Sequence, residues 1–183
     1  MSTVPSPTWI AFAGTERVAA GPPLATIAAA KAWFDTHAEA NLLIFDAATG
    51  HTIPIDLGVG GEHLQRIVTH LTSPPRRPAN GPQPISAEVC LFQRHWDWLA
   101  TQPGGASAAL RRLVEHAMRA SAATDRQRQA RDAAYHFMTA LAGDAPQYEE
   151  AVRALYAGDT VRLLTLAAAW PAGLRTQLQQ LLS

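Results

Sequence analysis

The chain predicts an α+β fold: a small α/β part at the N-terminus, a strand–helix–helix centre and an all-helical C-terminal part. Three observations predict it. Short apolar runs of strand type, separated by turn residues, are confined to the first sixty residues and to one run at 85–92. Five prolines crowd residues 73–84. Beyond residue 93 the apolar side chains recur at three- and four-residue spacing, the period of a helix with one buried face.

The run Thr8-Trp9-Ile10-Ala11-Phe12-Ala13 reads as a strand, and Glu16-Arg17-Val18-Ala19, after Gly14, as its hairpin partner. Pro22 and Pro23 open an alanine-rich helix to about His37, because proline fits a first helical turn whose amides lack partners anyway. Leu42-Leu43-Ile44-Phe45 is a buried-strand run, Thr49-Gly50 a turn, and residues 52–57 a returning strand that Pro54 confines to a sheet edge. A helix over 62–71 places Leu64, Ile67, Val68 and Leu71 on one face. Residues 1–72 therefore read as β-β-α-β-β-α. The proline-rich stretch 73–84 is a linker, and 85–183 forms the rest of the chain.

Residues 85–92 read as a strand apolar on both faces, which also fits a strand joining the N-terminal sheet. Helices follow at 93–102, at 107–122 (inward face Leu110, Leu113, Val114, Ala117 and Met118) and at 126–142 (inward face Ala130, Ala134, Phe137, Met138 and Leu141). The pattern Ala-Leu-Ala-Gly-Asp at 140–144 is echoed at 155–159, where Gly closes one helix and Asp caps the next. The last helices cover 145–157, 159–169 and 171–182.

Of the 183 residues, 48% are hydrophobic and 16% charged, with zero formal net charge. That composition supports a packed core and excludes wholesale disorder or a global pull toward nucleic acid or anionic lipid. Charge is segregated, however: residues 73–84 hold Arg76 and Arg77 and no acid, residues 85–131 hold seven arginines against four acids, and the flanks 1–72 and 132–183 are acidic. With Cys90 the only cysteine, a reducing compartment, the cytoplasm, is expected. No stretch of 18 apolar residues suggests a membrane span.

The chemical motifs are weak. Gly58-Val59-Gly60-Gly61 follows a strand, but it lacks the glycine spacing and the Gly-Lys-Ser/Thr of a phosphate loop, so it reads as a turn. His63 and His70 are two turns apart, whereas helical metal ligands sit three or four residues apart; no metal or cofactor is expected. His95 and Asp97 lack a nucleophile elbow and offer only a thin enzyme reading, and no catalytic residue is assigned. Cys90 reads as buried in its strand. Trp96 is expected in the core and Trp98 at an interface, since a helix cannot turn both inward.

The segment 85–120 resembles a ribbon–helix–helix module, in which paired strands from two chains enter a DNA major groove. Arg94, Arg111, Arg112 and Arg119 are the candidate nucleic-acid contacts, and Trp98, Val89 and Leu91 the candidate interface of a homodimer. The strand speaks against base readout. Its faces are Ile85, Ala87, Val89, Leu91 and Ser86, Glu88, Cys90, Phe92, without an Arg, Lys, Asn or Gln.

A second resemblance spans nearly the whole chain. Arg94-His95-Trp96-Asp97-Trp98-Leu99-Ala100, Gln102-Pro103-Gly104-Gly105-Ala106-Ser107, Leu110-Arg111-Arg112-Leu113-Val114, Tyr135-His136-Phe137-Met138, Tyr148-Glu149-Glu150-Ala151, Arg153 to Asp159 and Ala169-Trp170-Pro171-Ala172 are similar to a bacterial family defined as a domain of unknown function, number 2239 in that series. Gln93 stands where that family places proline. The resemblance implies no activity or cofactor. The functional expectation is a non-catalytic, dimerising interaction or regulatory protein, with a DNA-binding regulator as the alternative.

Overall fold

The computed structural model describes residues 8–37, 41–73 and 87–183. They form an α+β fold of three strands and seven α-helices: β1 (Trp9–Ala13), β2 (Glu16–Gly21), α1 (Pro23–Thr36), β3 (Leu42–Asp46), α2 (Gly61–Thr72), α3 (Gln93–Ala100), α4 (Gly105–Leu141), α5 (Tyr148–Ala157), α6 (Thr160–Leu166) and α7 (Ala172–Leu181). A 3₁₀ turn (Ala167–Ala169) extends α6. The linker expected at 73–84 falls, apart from Ser73, outside the described residues.

The chain divides into two compact units. The larger comprises Met1–Ser73 and Gln127–Ser183; the smaller is Pro74–Arg126.

In the larger unit, β1 is the central strand of an antiparallel sheet ordered β2-β1-β3. Trp9 pairs with Gly21 on one side and Asp46 on the other, and a bulge falls between Ala11 and Phe12. Side chains of a strand alternate between faces, and here both faces are covered. Ile10, Phe12 and Phe45 enter one core with Phe137 and Met138 of α4, Leu163 of α6, and Leu174 and Leu178 of α7. Trp9, Ala11 and Ile44 enter another with Ile27 and Ala30 of α1 and Leu64 and Val68 of α2. The rings of Phe12, Phe45 and Phe137 pack tilted or edge-on at centroid separations of 5.3–6.2 Å, the arrangement their quadrupoles favour. Trp170 is buried, and its indole Nε1 donates to the Pro146 carbonyl at 2.8 Å.

Several expectations are corrected. Residues 52–57 make one isolated bridge, Phe45–Thr52, and one further backbone bond, Ile53 N to Ile44 O, instead of a strand; Pro54 has no amide with which to continue the ladder. Of the strand expected at 85–92, the described residues 87–92 are without regular structure, and they do not add to the three-stranded sheet. A strand needs a neighbour for its amides, and alternation alone supplies none. The helices expected at 107–122 and 126–142 are one helix, α4. Within it the Asp125 carboxylate accepts from Ser121 Oγ at 2.6 Å.

The Gly-Asp echo is real at its second copy. Gly158 ends α5 at φ +74°, and Asp159 accepts the Arg162 amide at 2.9 Å to cap α6. At the first copy Gly143 is not left-handed, and α5 begins after Gln147, itself left-handed at φ +59°.

Candidate interaction surface

The small unit has almost no core of its own. Among its described residues only Leu99 of α3 and Ala109 of α4 are buried hydrophobics. Phe92 ends the irregular segment, its carbonyl accepting the His95 and Trp96 amides at 2.9 and 3.3 Å, and α3 then runs for eight residues. Gln93, the first of them, donates from Nε2 to Asp97 Oδ1 at 2.9 Å, a one-turn bond that a proline there could not make. Gly104 and Gly105, at φ +83° and +76°, turn the chain into α4.

Large apolar side chains remain at the surface of this unit. Val89 is 57% exposed, Phe92 68%, Trp98 51%, Val114 54% and Met118 65%; Trp96 and Leu113 are exposed as well. Every residue from 111 to 120 is exposed. The expected inward face of this helix is therefore corrected: Leu113, Val114, Ala117 and Met118 do share one face of α4, but nothing in the described chain covers it. Trp96 is likewise not a core residue, and Cys90 is exposed rather than buried. Leu91 is half-buried.

All four arginines expected to contact nucleic acid lie on this unit and are exposed. None is ion-paired among the described residues. Arg111 Nε donates to the Ser107 carbonyl, Arg112 Nη2 to that of Pro103, and Arg119 Nε to that of Glu115, at 3.2, 3.3 and 3.2 Å. Arg94 stacks over the Phe92 ring at 4.9 Å and donates to His95 Nε2 at 3.3 Å. Arg112 and Arg119 share a groove of about 410 Å³ with Trp98, Leu113, Glu115 and His116. At 100° per residue, Arg112 and Arg119 lie on the side of α4 away from the Leu110–Val114–Ala117 stripe. The cationic groove and the apolar stripe lie on different sides of α4 and meet at Leu113, which borders both.

The residues of the enzyme reading are not brought together. His95 Nδ1 is enclosed without a hydrogen-bond partner, and Asp97 is held by Gln93, so no bond joins His95 to Asp97. No group of three or more His, Cys, Asp or Glu able to hold a metal gathers among the described residues. His63 faces Arg66 at 3.3 Å. The glycines at 58–61 serve a turn: the Gly58 amide bonds to Asp56 Oδ1 at 2.8 Å and Gly60 caps α2.

Residues 8–182 match a sequence family described as an uncharacterised protein conserved in bacteria, DUF2239. The chain belongs to the DUF2239 family. No curated protein and no solved structure matches it. Family membership thus spans both units of this DUF2239 chain, including the Arg-His-Trp-Asp-Trp stretch on α3. No helix among the described residues is long and apolar enough to cross a membrane.

Proposed function

We propose that this DUF2239 protein is a non-catalytic interaction or regulatory protein that self-associates through its small unit, with α4 packing against α4 of a second copy. The observation that carries the reading is the imbalance among the described residues of that unit: two buried apolar residues against seven large exposed ones. A unit of this size cannot stand on so small a core. Its exposed large apolar side chains present on the order of 700 Å², above the ~300–600 Å² of a typical monomer patch and near the ~800 Å² each partner gives a standard interface.

The stripe is also self-complementary. In a two-fold antiparallel pairing centred between Leu113 and Val114, each Leu113 meets the other copy's Val114, apolar on apolar, and each Leu110 meets Ala117, large against small. Light scattering of the purified chain over a concentration series tests this. The wild type is expected to run as a dimer and the Val114→Asp/Met118→Asp variant as a monomer with unchanged far-UV circular dichroism. An unpaired carboxylate in the interface costs about 3 kcal/mol, roughly a hundredfold in dissociation constant. A wild type that stays monomeric at every concentration overturns the proposal.

A second reading, nucleic-acid binding, is favoured by the four exposed arginines without carboxylate partners. Titration of labelled duplex at low and moderate salt tests it, with Arg111→Ala/Arg112→Ala expected to weaken binding and flatten its salt dependence together. No binding at low salt refutes it.

A further inference from the structure

The larger unit holds a cavity unrelated to the apolar stripe. It measures about 260 Å³ and opens beside the turn between α5 and α6. Its polar lining is Gln127 and Arg131 of α4 and Thr160 of α6; its apolar lining is Ala130, Leu155 and Leu182. Gly158 completes it. This residue sits at φ +74°, and a Cβ placed there would lie 3.9 Å from Arg131 Nη2, so the guanidinium lies directly against the turn.

Arg131 is partly buried, yet no carboxylate among the described residues pairs with it. The next residue, Asp132, forms no ion pair with Arg131 and does not line the cavity, and two further acids are committed elsewhere. Asp159 caps α6, and Glu150 is held by Arg153 and by Arg162 at 3.4 Å. A guanidinium that lines a cavity without a paired carboxylate is available to a bound anion. The lining offers donors from a guanidinium, a hydroxyl and an amide, and it contains no carboxylate.

A guanidinium is planar and presents paired N–H groups that match a carboxylate in two parallel bonds. The Ala130, Leu155 and Leu182 wall suits a short hydrocarbon better than a hydrated phosphate. The volume lies under the ~300 Å³ at which pockets for drug-sized ligands begin. From these features we infer that the cavity is a binding site for a small organic carboxylate, held by Arg131 with help from Thr160 and Gln127.

Benzoate is a suitable probe, with benzamide as its uncharged counterpart and inorganic phosphate as a competing anion, each titrated into the full chain at constant ionic strength and followed by amide NMR. Benzoate is expected to shift the Arg131, Gly158 and Thr160 amides saturably, and benzamide to leave them in place. Arg131→Gln should weaken benzoate at least tenfold, with Arg131→Lys intermediate. Ala130→Leu, which fills the cavity and keeps the arginine, should abolish saturation and carries the test if the charge variants fail to fold. Shifts that do not saturate, an Arg131→Gln chain that binds as tightly as wild type, or phosphate that binds as tightly as benzoate would each overturn the assignment.

Discussion

Gly50→Ala perturbs the place where the turn after β3 docks on α4. Gly50 is buried at φ +68°, and its amide donates to the Asp46 carbonyl at 2.8 Å. Asp46 Oδ1 holds the turn by accepting from the Ala48 and Thr49 amides at 2.9 and 3.0 Å. On its far side the His136 ring contacts the Thr49 carbonyl at 3.1 Å and stacks on His51 with 3.8 Å between centroids. A methyl group at position 50 would lie 2.1 Å from the Ala133 carbonyl oxygen and under 3 Å from two more backbone atoms of α4. Left-handed backbone costs a non-glycine residue roughly 1–2 kcal/mol. Forcing helix and turn apart adds roughly 1–3 kcal/mol, as overpacking does elsewhere. The expected loss is about 3 kcal/mol, a fall in Tm of roughly 6–12 °C for a chain this long. Gly14→Ala is the control, since Gly14 is also left-handed, at φ +55°, but a Cβ there meets nothing within 4 Å. It should lose only the conformational part, about 1 kcal/mol. Thermal melts by circular dichroism compare the two. Equal losses would show that the turn does not press on α4, and the packing argument for this junction would fail.

Asp159→Ala removes the α6 cap and should cost about 1 kcal/mol in a denaturant melt, with Asp159→Asn losing less. Trp170→Phe keeps most of the ring but leaves the Pro146 carbonyl without its donor, a loss of roughly 1–3 kcal/mol by the same assay. Desolvation, then the neighbouring Tyr135 and Asp132, hold the Tyr156 phenol above the ordinary tyrosine value. Its anion is disfavoured in the folded chain, so in an alkaline absorbance titration one of the three tyrosines should ionise late, and Tyr156→Phe should remove that late step.

The N-terminal elements were legible because local chemistry decides them. The short continuous apolar run of Trp9–Ala13 before a Gly turn, proline at the start of α1 and the three- and four-residue spacing in α2 each leave one workable structure. The contact that makes the larger unit was not legible. Phe12 and Phe45 meet Phe137 across about ninety residues or more of chain, and no local pattern announces such a partner. The strand readings at 52–57 and, over the described residues, at 87–92 failed for a related reason: apolar alternation describes a strand's faces but not whether a neighbour exists for its amides. At the candidate surface the four arginines and Trp98 are exposed side chains. Phe92 was missed as an exposed residue, although its place immediately before an eight-residue helix limits what can cover it.

Helical periodicity states which side chains share a face; it does not state what lies against that face. In the larger unit the reading of a shared apolar face as an inward one holds for Ala134, Phe137 and Met138, all buried. On the same helix, about four turns and more toward its start, it fails for Leu113, Val114, Ala117 and Met118. Chance scatter of surface apolar residues would not keep the spacing of a buried stripe over two turns, nor gather at the part of the chain that has the smallest core. A stripe patterned for burial, exposed in the single chain and able to meet its own copy apolar side chain on apolar side chain, is what a helix that completes its core by pairing requires. The Val114→Asp/Met118→Asp variant separates the two cases, because on a merely solvated face both substitutions leave molecular mass and stability unchanged.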